Sequence, residues 1–310
     1  MADFDPGVAD AEIAAVFDPF VKERFALDDP AWTTLVSDNA RLQRRNRLRR
    51  RLIGWAPSFR RTQDSIQRDY SQQWAAQTFN AQLSIEGPTV PCLWRTTGML
   101  ARAIATKRVH LLFLMGVIAR LKPTNVLEVG CGNGLNLFVL AGRFPGIRFT
   151  GIELTAGGIA AAEAVCALPE LPQAVQDFAP EPLIDPKPFD RITIRQGNAA
   201  ALPLSDRSFD LVFTSLALEQ MEQIRSCALA EIARVARAHT TMVEPFFEWN
   251  ATGPQRDYVI ANDYFSGRMS DLPGVGLMPI FSTADMPHKL INHPGLVVCR
   301  VLRTLRMSES

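Results

Sequence analysis

The chain has 310 residues, 47% hydrophobic and 21% charged, which suits one large domain or a domain with an appendage and allows a sizeable buried core. Its formal net charge of +1 gives the whole molecule no strong steering field. No apolar run approaches the ~18–20 residues of a membrane span, and Met1-Ala2-Asp3-Phe4-Asp5 lacks the basic and apolar regions of a signal peptide. Cys92, Cys131, Cys166, Cys227 and Cys299 are odd in number and form no Cys-x-x-Cys pair, which argues for reduced thiols in a cytoplasmic setting and against structural zinc.

Residues 1–105 read as a mainly helical extension. Ile13, Val16, Phe17 and Phe20 fall at helical spacing. Arg41, Arg44, Arg45, Arg47, Arg49, Arg50, Arg51, Arg60 and Arg61 follow with no acid among them, so the remainder of the chain carries −8 and the charge is segregated. Such a run suits an anion (nucleic acid, acidic membrane lipid or a phosphorylated substrate) or a solvated or intersubunit helix paired with acids elsewhere. Nucleic-acid readers interleave aromatics for stacking, and only Trp55 and Phe59 qualify here. Tyr70 to Phe79 reads as another helix with Trp74 and Phe79 buried, and Gly87-Pro88 and Val90-Pro91 as a connector. Lys107 to Leu121 is an amphipathic helix with Leu111, Leu114, Met115 and Ile118 on one face. His110 on it is a helix-surface residue or a base that reaches the site.

From Asn125 strands and helices alternate. Asn125 to Val129 is an apolar strand, Gly130, Gly132 and Gly134 force a tight turn, and Leu135 to Leu140 opens a helix. Strand, glycine turn and helix make the nucleotide-binding crevice of a doubly wound α/β sheet. No Lys-Ser or Lys-Thr follows, which excludes a phosphate-binding loop, and the Gly-x-Gly-x-Gly spacing differs from the dinucleotide Gly-x-Gly-x-x-Gly. Arg148 to Glu153 is the second strand, and its terminal carboxylate stands where an acid accepts ribose hydroxyls. Thr155 can cap the next helix. Residues 168–190 hold six prolines and read as an insertion or lid. Arg191 to Ile194, Phe209 to Ser215, Thr240 to Phe246 and Leu296 to Leu302 supply further strands, with a helix from Cys227 to Ala238. Phe246, Phe247, Trp249, Tyr258, Tyr264 and Phe265 suit an aromatic substrate rim or core packing. His288 and His293 lie in a loop from which either could reach a substrate.

Glu128-Val129-Gly130-Cys131-Gly132-Asn133-Gly134 resembles motif I of the class I S-adenosylmethionine-dependent methyltransferases, (Asp/Glu)-x-Gly-x-Gly-x-Gly. Gly197-Asn198-Ala199 with Leu202-Pro203-Leu204 is similar to the family's Gly-Asp-Ala…Leu-Pro-Phe segment. Phe209-Asp210-Leu211-Val212 and Leu218-Glu219-Gln220-Met221 are similar to its Phe-Asp-x-Val and Leu-Glu-His-(Val/Ile), a form common in the branch acting on quinone precursors and other small metabolites. The resemblance covers about residues 105 to 305. It implies a seven-stranded Rossmann-like sheet and S-adenosylmethionine held by Glu128, Gly130, Cys131, Gly132, Gly134, Glu153, Leu154, Asn198, Ala199, Ser215 and Leu216. It makes residues 106–310 the methyltransferase domain and residues 1–105 a lid or a homodimer arm.

Two departures matter. Asn198 replaces the family's Asp but still offers an amide oxygen to adenine, and Gln220 replaces a His that is a candidate base, although glutamine cannot take a proton. The acceptor is then already deprotonated, such as a carboxylate, or the base comes from Glu244, Glu219, His110, His288 or His293. The expected activity is methyl transfer to an oxygen or nitrogen of a small metabolite. The alternatives are RNA or a phosphorylated carrier gripped by the arginine run, and a non-catalytic cofactor-binding scaffold.

Overall fold

The computed structural model describes residues 4–53, 63, 67–68, 74 and 78–302. Trp55, Phe59, Arg60, Arg61 and the Tyr70–Gln73 stretch lie outside the described residues. A seven-stranded sheet forms the centre, in the order β6-β5-β4-β7-β8-β11-β9. Its strands are β4 (Asn125–Val129), β5 (Arg148–Glu153), β6 (Ile192–Gln196), β7 (Phe209–Ser215), β8 (Ala236–Glu244), β9 (Leu277–Thr283) and β11 (Gly295–Val301). The first five in spatial order are parallel, and β11 enters antiparallel between β8 and β9. Helices α5 (Leu135–Arg143), α6 (Ala156–Cys166) and α8 (Arg225–Val235) connect the parallel strands. The expected doubly wound α/β architecture is therefore present.

After the short helix α3 (Phe79–Leu83), helix α4 (Ile104–Leu121) runs into β4, and its apolar residues are buried all round rather than on one face. One side meets the central sheet and the other is covered by α1 (Asp10–Phe17), which buries Ile13, Val16 and Phe17 in the same core. A helix covered on both sides needs apolar residues around its whole girth, and Val109, Leu112 and Val117 supply them.

The extension carries strands as well as helices. A second sheet has the order β1-β3-β2-β10, with β1 (Val21–Ala26), β2 (Thr89–Trp94), β3 (Thr97–Arg102) and β10 (His288–Lys289). The connector expected at Val90-Pro91 is thus part of β2. The β2–β3 hairpin turns at Arg95, whose φ of 51° is a conformation usually left to glycine or asparagine, so its sequence gives no ordinary turn signal. The Arg95 guanidinium instead pairs with Asp10 at 2.6 Å and with Asp285, tying the turn to both ends of the chain. Helix α2 (Pro30–Ile53) sits on this sheet through Trp32, which stacks on Phe25 and lies so close to Gly98 that a Cβ there would fall 2.4 Å from its ring.

The proline-rich stretch is not a lid. It contains α7 (Gln173–Phe178), and Leu171, Val175 and Phe178 are buried against the outer surface of the core. Arg108 of α4 locks this packing by donating to the carbonyls of Phe178, Val16 and Ala179 at 2.9, 3.0 and 3.0 Å. Arg108→Ala would leave three carbonyls without their donor, and we expect a loss of about 2–4 kcal/mol in urea unfolding. Arg108→Lys should recover only part of it, because an ammonium cannot match the guanidinium fork; full recovery would reduce the contact to simple charge.

Candidate active site

A cavity of about 250 Å³ opens at the carboxyl ends of β4, β5 and β7. Its floor is the glycine turn, where Gly130, Gly132 and Gly134 have φ of 79°, 54° and 80°. The turn is held to β5 by the Gly130 and Cys131 N–H groups, which donate to the Ile152 carbonyl at 2.8 and 3.1 Å. Space matters as well as φ. A Cβ on Gly130 would lie 2.6 Å from that of Ala217, and one on Gly132 would lie 2.7 Å from the Trp74 ring.

Glu153 ends β5 and lines the cavity. Its Oε2 accepts the Gly132 N–H at 2.9 Å, and its Oε1 accepts the N–H and hydroxyl of Thr155 at 2.9 and 2.7 Å. Thr155 in turn caps α6 by accepting from the Gly158 N–H. Oε2 keeps a lone pair for a further donor.

Glu128 is buried behind the turn and does not line the cavity, nor does Gly134. Its Oε1 accepts the Asn136 amide at 2.6 Å, while Oε2 has no partner among the described residues. Burial pushes its carboxyl up to about 7 against the opposing pull of the Lys107 charge. Lys107 reaches the cavity from α4, and burial lowers its pKa while Glu128 raises it. This cation was not singled out in the sequence; its helical position resembled that of any amphipathic lysine.

Leu154, Asn198 and Ala199 line a second wall, and Ser215 and Leu216 a third. The Asn198 amide exchanges two hydrogen bonds of 3.2 Å with Gln63, and its Oδ1 also accepts the Ala200 N–H at 2.9 Å. Gln63 and Trp74, from the extension, thus also line the cavity. Trp74 was expected as a buried helix residue, and the resemblance also offered Tyr70-Ser71-Gln72-Gln73-Trp74 as a helix closing over the methionine end of the cofactor. Leu216 turns the chain after β7 with a φ of 54°, a strain of about 1–2 kcal/mol for a residue with a Cβ.

The residues weighed for catalysis separate. Gln220 lines the cavity and donates to Glu219 Oε1 at 3.0 Å; Glu219 lines it too, and its Oε2 accepts from Asn292 at 3.3 Å. His110 is neither on the surface nor in the cavity. It is 1% exposed, and burial pushes its imidazole down to about 3. Glu244 is also outside the cavity wall, because its carboxylate is consumed by backbone. Oε1 accepts the N–H groups of Ala217 and Leu218 at 3.0 and 3.1 Å, and Oε2 that of Glu219 at 3.3 Å. His288 and His293 stack on each other with centroids 3.6 Å apart, away from the cavity, and Phe246 packs edge-on against Trp249 and Phe265 in the core rather than as a rim. No group of three His, Cys, Asp or Glu among the described residues could hold a metal ion.

Glu244 has a measurable consequence. Burial, and after it the Glu219 charge, push its carboxyl from an ordinary 4.5 up to about 8. Between these values the folded protein holds a proton that the unfolded chain has lost, so stability falls as pH rises through this window and levels off above it. One such group contributes a slope of at most about 1.4 kcal/mol per pH unit, and Glu128 adds to it with the same sign. In urea unfolding across this range Glu244→Gln, neutral throughout, should give a flatter profile than the parent. Parallel profiles would return the carboxyl to an ordinary pKa.

Residues 127–243 match the sequence profile of a methyltransferase domain family. No curated protein matches the chain. Among solved structures, the cyclase SpnF superposes with a TM-score of 0.53 at 14% identity, over 78% of this chain and 97% of that one. A geranyl diphosphate C-methyltransferase from Streptomyces coelicolor gives 0.44 at 11% identity, over 76% and 98%. An S-adenosylmethionine-dependent methyltransferase from Methanosarcina mazei gives 0.43 at 18%, over 58% and 93%. Residues 127–243, which include the glycine turn, therefore form a methyltransferase domain.

Proposed function

We propose that the cavity transfers a methyl group from S-adenosylmethionine to an oxygen or nitrogen of a small metabolite. The observation that carries this reading is the pairing of Glu219 with Gln220 beside the glycine turn, in a cavity that Gln63 and Trp74 also line. A cavity of about 250 Å³ suits a small acceptor better than a polynucleotide.

The residues present fit the donor. Glu153 Oε2 has a lone pair for a ribose hydroxyl, and the Ala199 N–H offers a donor to the adenine edge, where Asn198 can exchange Gln63 for the ligand. The turn from Gly130 to Gly134 brings bare backbone to the ligand where side chains would clash. Lys107, which lines the cavity, suits the carboxylate of the methionine end, while Glu128 acts from behind the turn. When bound, S-adenosylmethionine supplies a methyl carbon activated by its sulfonium.

The chain itself positions the acceptor and handles its proton. In-line placement accounts for much of the acceleration of such a displacement. Glu219 is the base within the cavity; the amides of Gln220 and Asn292 orient it, and Glu244 fixes its backbone by accepting its N–H. Glu244 is thus a positioning residue, and His110 has no role in proton transfer. Residues 106–310 are read as the catalytic domain and the preceding segment as its cover. The five free cysteines support a cytoplasmic location. No helix among the described residues is long and apolar enough to cross a membrane.

Calorimetric titration with S-adenosylmethionine, S-adenosylhomocysteine and NADH tests the donor. Binding of the first two alone is expected, with a loss of at least about tenfold in Glu153→Ala and in Gly132→Arg, each retaining its melting transition. Unchanged affinity in both would remove the site assignment. For the base, Glu219→Gln should lower kcat about 10²–10⁴-fold without changing S-adenosylmethionine affinity; a fully active variant would show that the acceptor arrives deprotonated.

A further inference from the structure

The arginine run is not absorbed by the cavity, since no residue of α2 lines it. Successive helix residues step by about 100°, which divides the second half of α2 into two faces. Towards α9 (Gly253–Asn262) lie the buried Gln43 and the half-buried Asn46 and Arg50, with Arg47 beside them. Arg47 pairs with Asp257 at 2.7 Å and Arg50 with Asp263 at 3.4 Å, so these two arginines hold the helix in place. The opposite face carries Arg41, Arg44, Arg45, Leu48, Arg51 and Leu52, all exposed. Arg41 pairs only with the exposed Asp38 of its own helix, and among the described residues no ion pair reaches Arg44, Arg45 or Arg51.

The leucines are the unusual feature. Leu48 and Leu52 are 56% and 65% exposed, one turn apart, with arginines around them. Of the ten exposed large hydrophobics among the described residues, four (with Leu42 and Ile53) fall within these twelve positions. A helix that only needed solubility would not place leucines at the centre of its solvent face.

Three partners can be weighed by chemistry. A second copy meeting this face across a two-fold axis would bring arginine against arginine with only Asp38, already paired to Arg41, to offset them. A nucleic acid would satisfy the arginines but leave the leucines against charged backbone, and the face offers no aromatic for a base to stack on. A bilayer rich in anionic phospholipid satisfies both features, because headgroup phosphates and carboxylates take the arginines while the leucines enter the boundary with the acyl chains. We propose that the outer face of α2 is a docking surface for an anionic phospholipid membrane, on which the protein lies without spanning it.

Flotation of the full chain with phosphatidylcholine vesicles, with and without phosphatidylserine, tests this. Binding is expected only to the vesicles containing phosphatidylserine, and it should weaken as salt is raised. The triple variant Arg44→Ala/Arg45→Ala/Arg51→Ala should lose about a hundredfold in partitioning, and Leu48→Glu/Leu52→Glu at least about tenfold. All five positions are exposed, so both variants should keep the parent melting temperature. Equal binding to neutral vesicles, no binding to acidic ones, or loss in the arginine variant but not in the leucine variant would overturn the proposal. Tighter binding to single-stranded RNA than to acidic vesicles, unaffected by the leucine changes, would make the face a nucleic-acid reader instead.

Discussion

The hydrogen bond from the Gly132 N–H to Glu153 Oε2, at 2.9 Å in a buried setting, joins the two strand ends on which the cavity is built. It fixes the glycine turn after β4 to the end of β5, and the same carboxylate holds Thr155, which caps α6. A charged acceptor away from bulk water makes such bonds stronger than neutral ones. One side chain therefore sets the loop, the helix start and the wall against which a ligand can lie.

A second buried carboxyl does comparable work across the sheet. Glu244, at the end of β8, gathers the N–H groups of Ala217, Leu218 and Glu219 and so shapes the loop that brings Glu219 and Gln220 to the cavity. Near neutral pH its raised pKa favours the protonated form. Two glutamates in equivalent strand-end positions thus serve different ends: Glu153 faces the cavity and Glu244 supports it from behind.

The extension is built into the core rather than hung on it. Sheet β1-β3-β2-β10 takes its last strand from residues 288–289, α1 covers α4, and Arg95 links Asp10 to Asp285. This leaves α2 anchored on one face by Trp32 and the ion pairs to α9, and free on the other. Gln63 and Trp74, later in the chain than α2, line the cavity.

Much of this was determined locally and is legible in the residues themselves. An apolar run, glycines at every second position and an acid at the end of the next strand point to a parallel α/β crevice, because the turn takes a positive φ at each of the alternate positions Gly130, Gly132 and Gly134. Periodicity also located β4, β5, β7 and α4, although α4 proved buried all round once α1 packed on it. What required the tertiary structure were choices between residues of the same type. Glu219 and Glu244 are equally plausible bases as letters, but the fold aims one at the cavity and consumes the other in backbone bonds. His110 looked exposed and is interior, Lys107 looked ordinary and faces Glu128, and the β2–β3 hairpin turned at an arginine held by two distant aspartates. Each of these depends on contacts between residues far apart in the chain, and no local pattern encodes them.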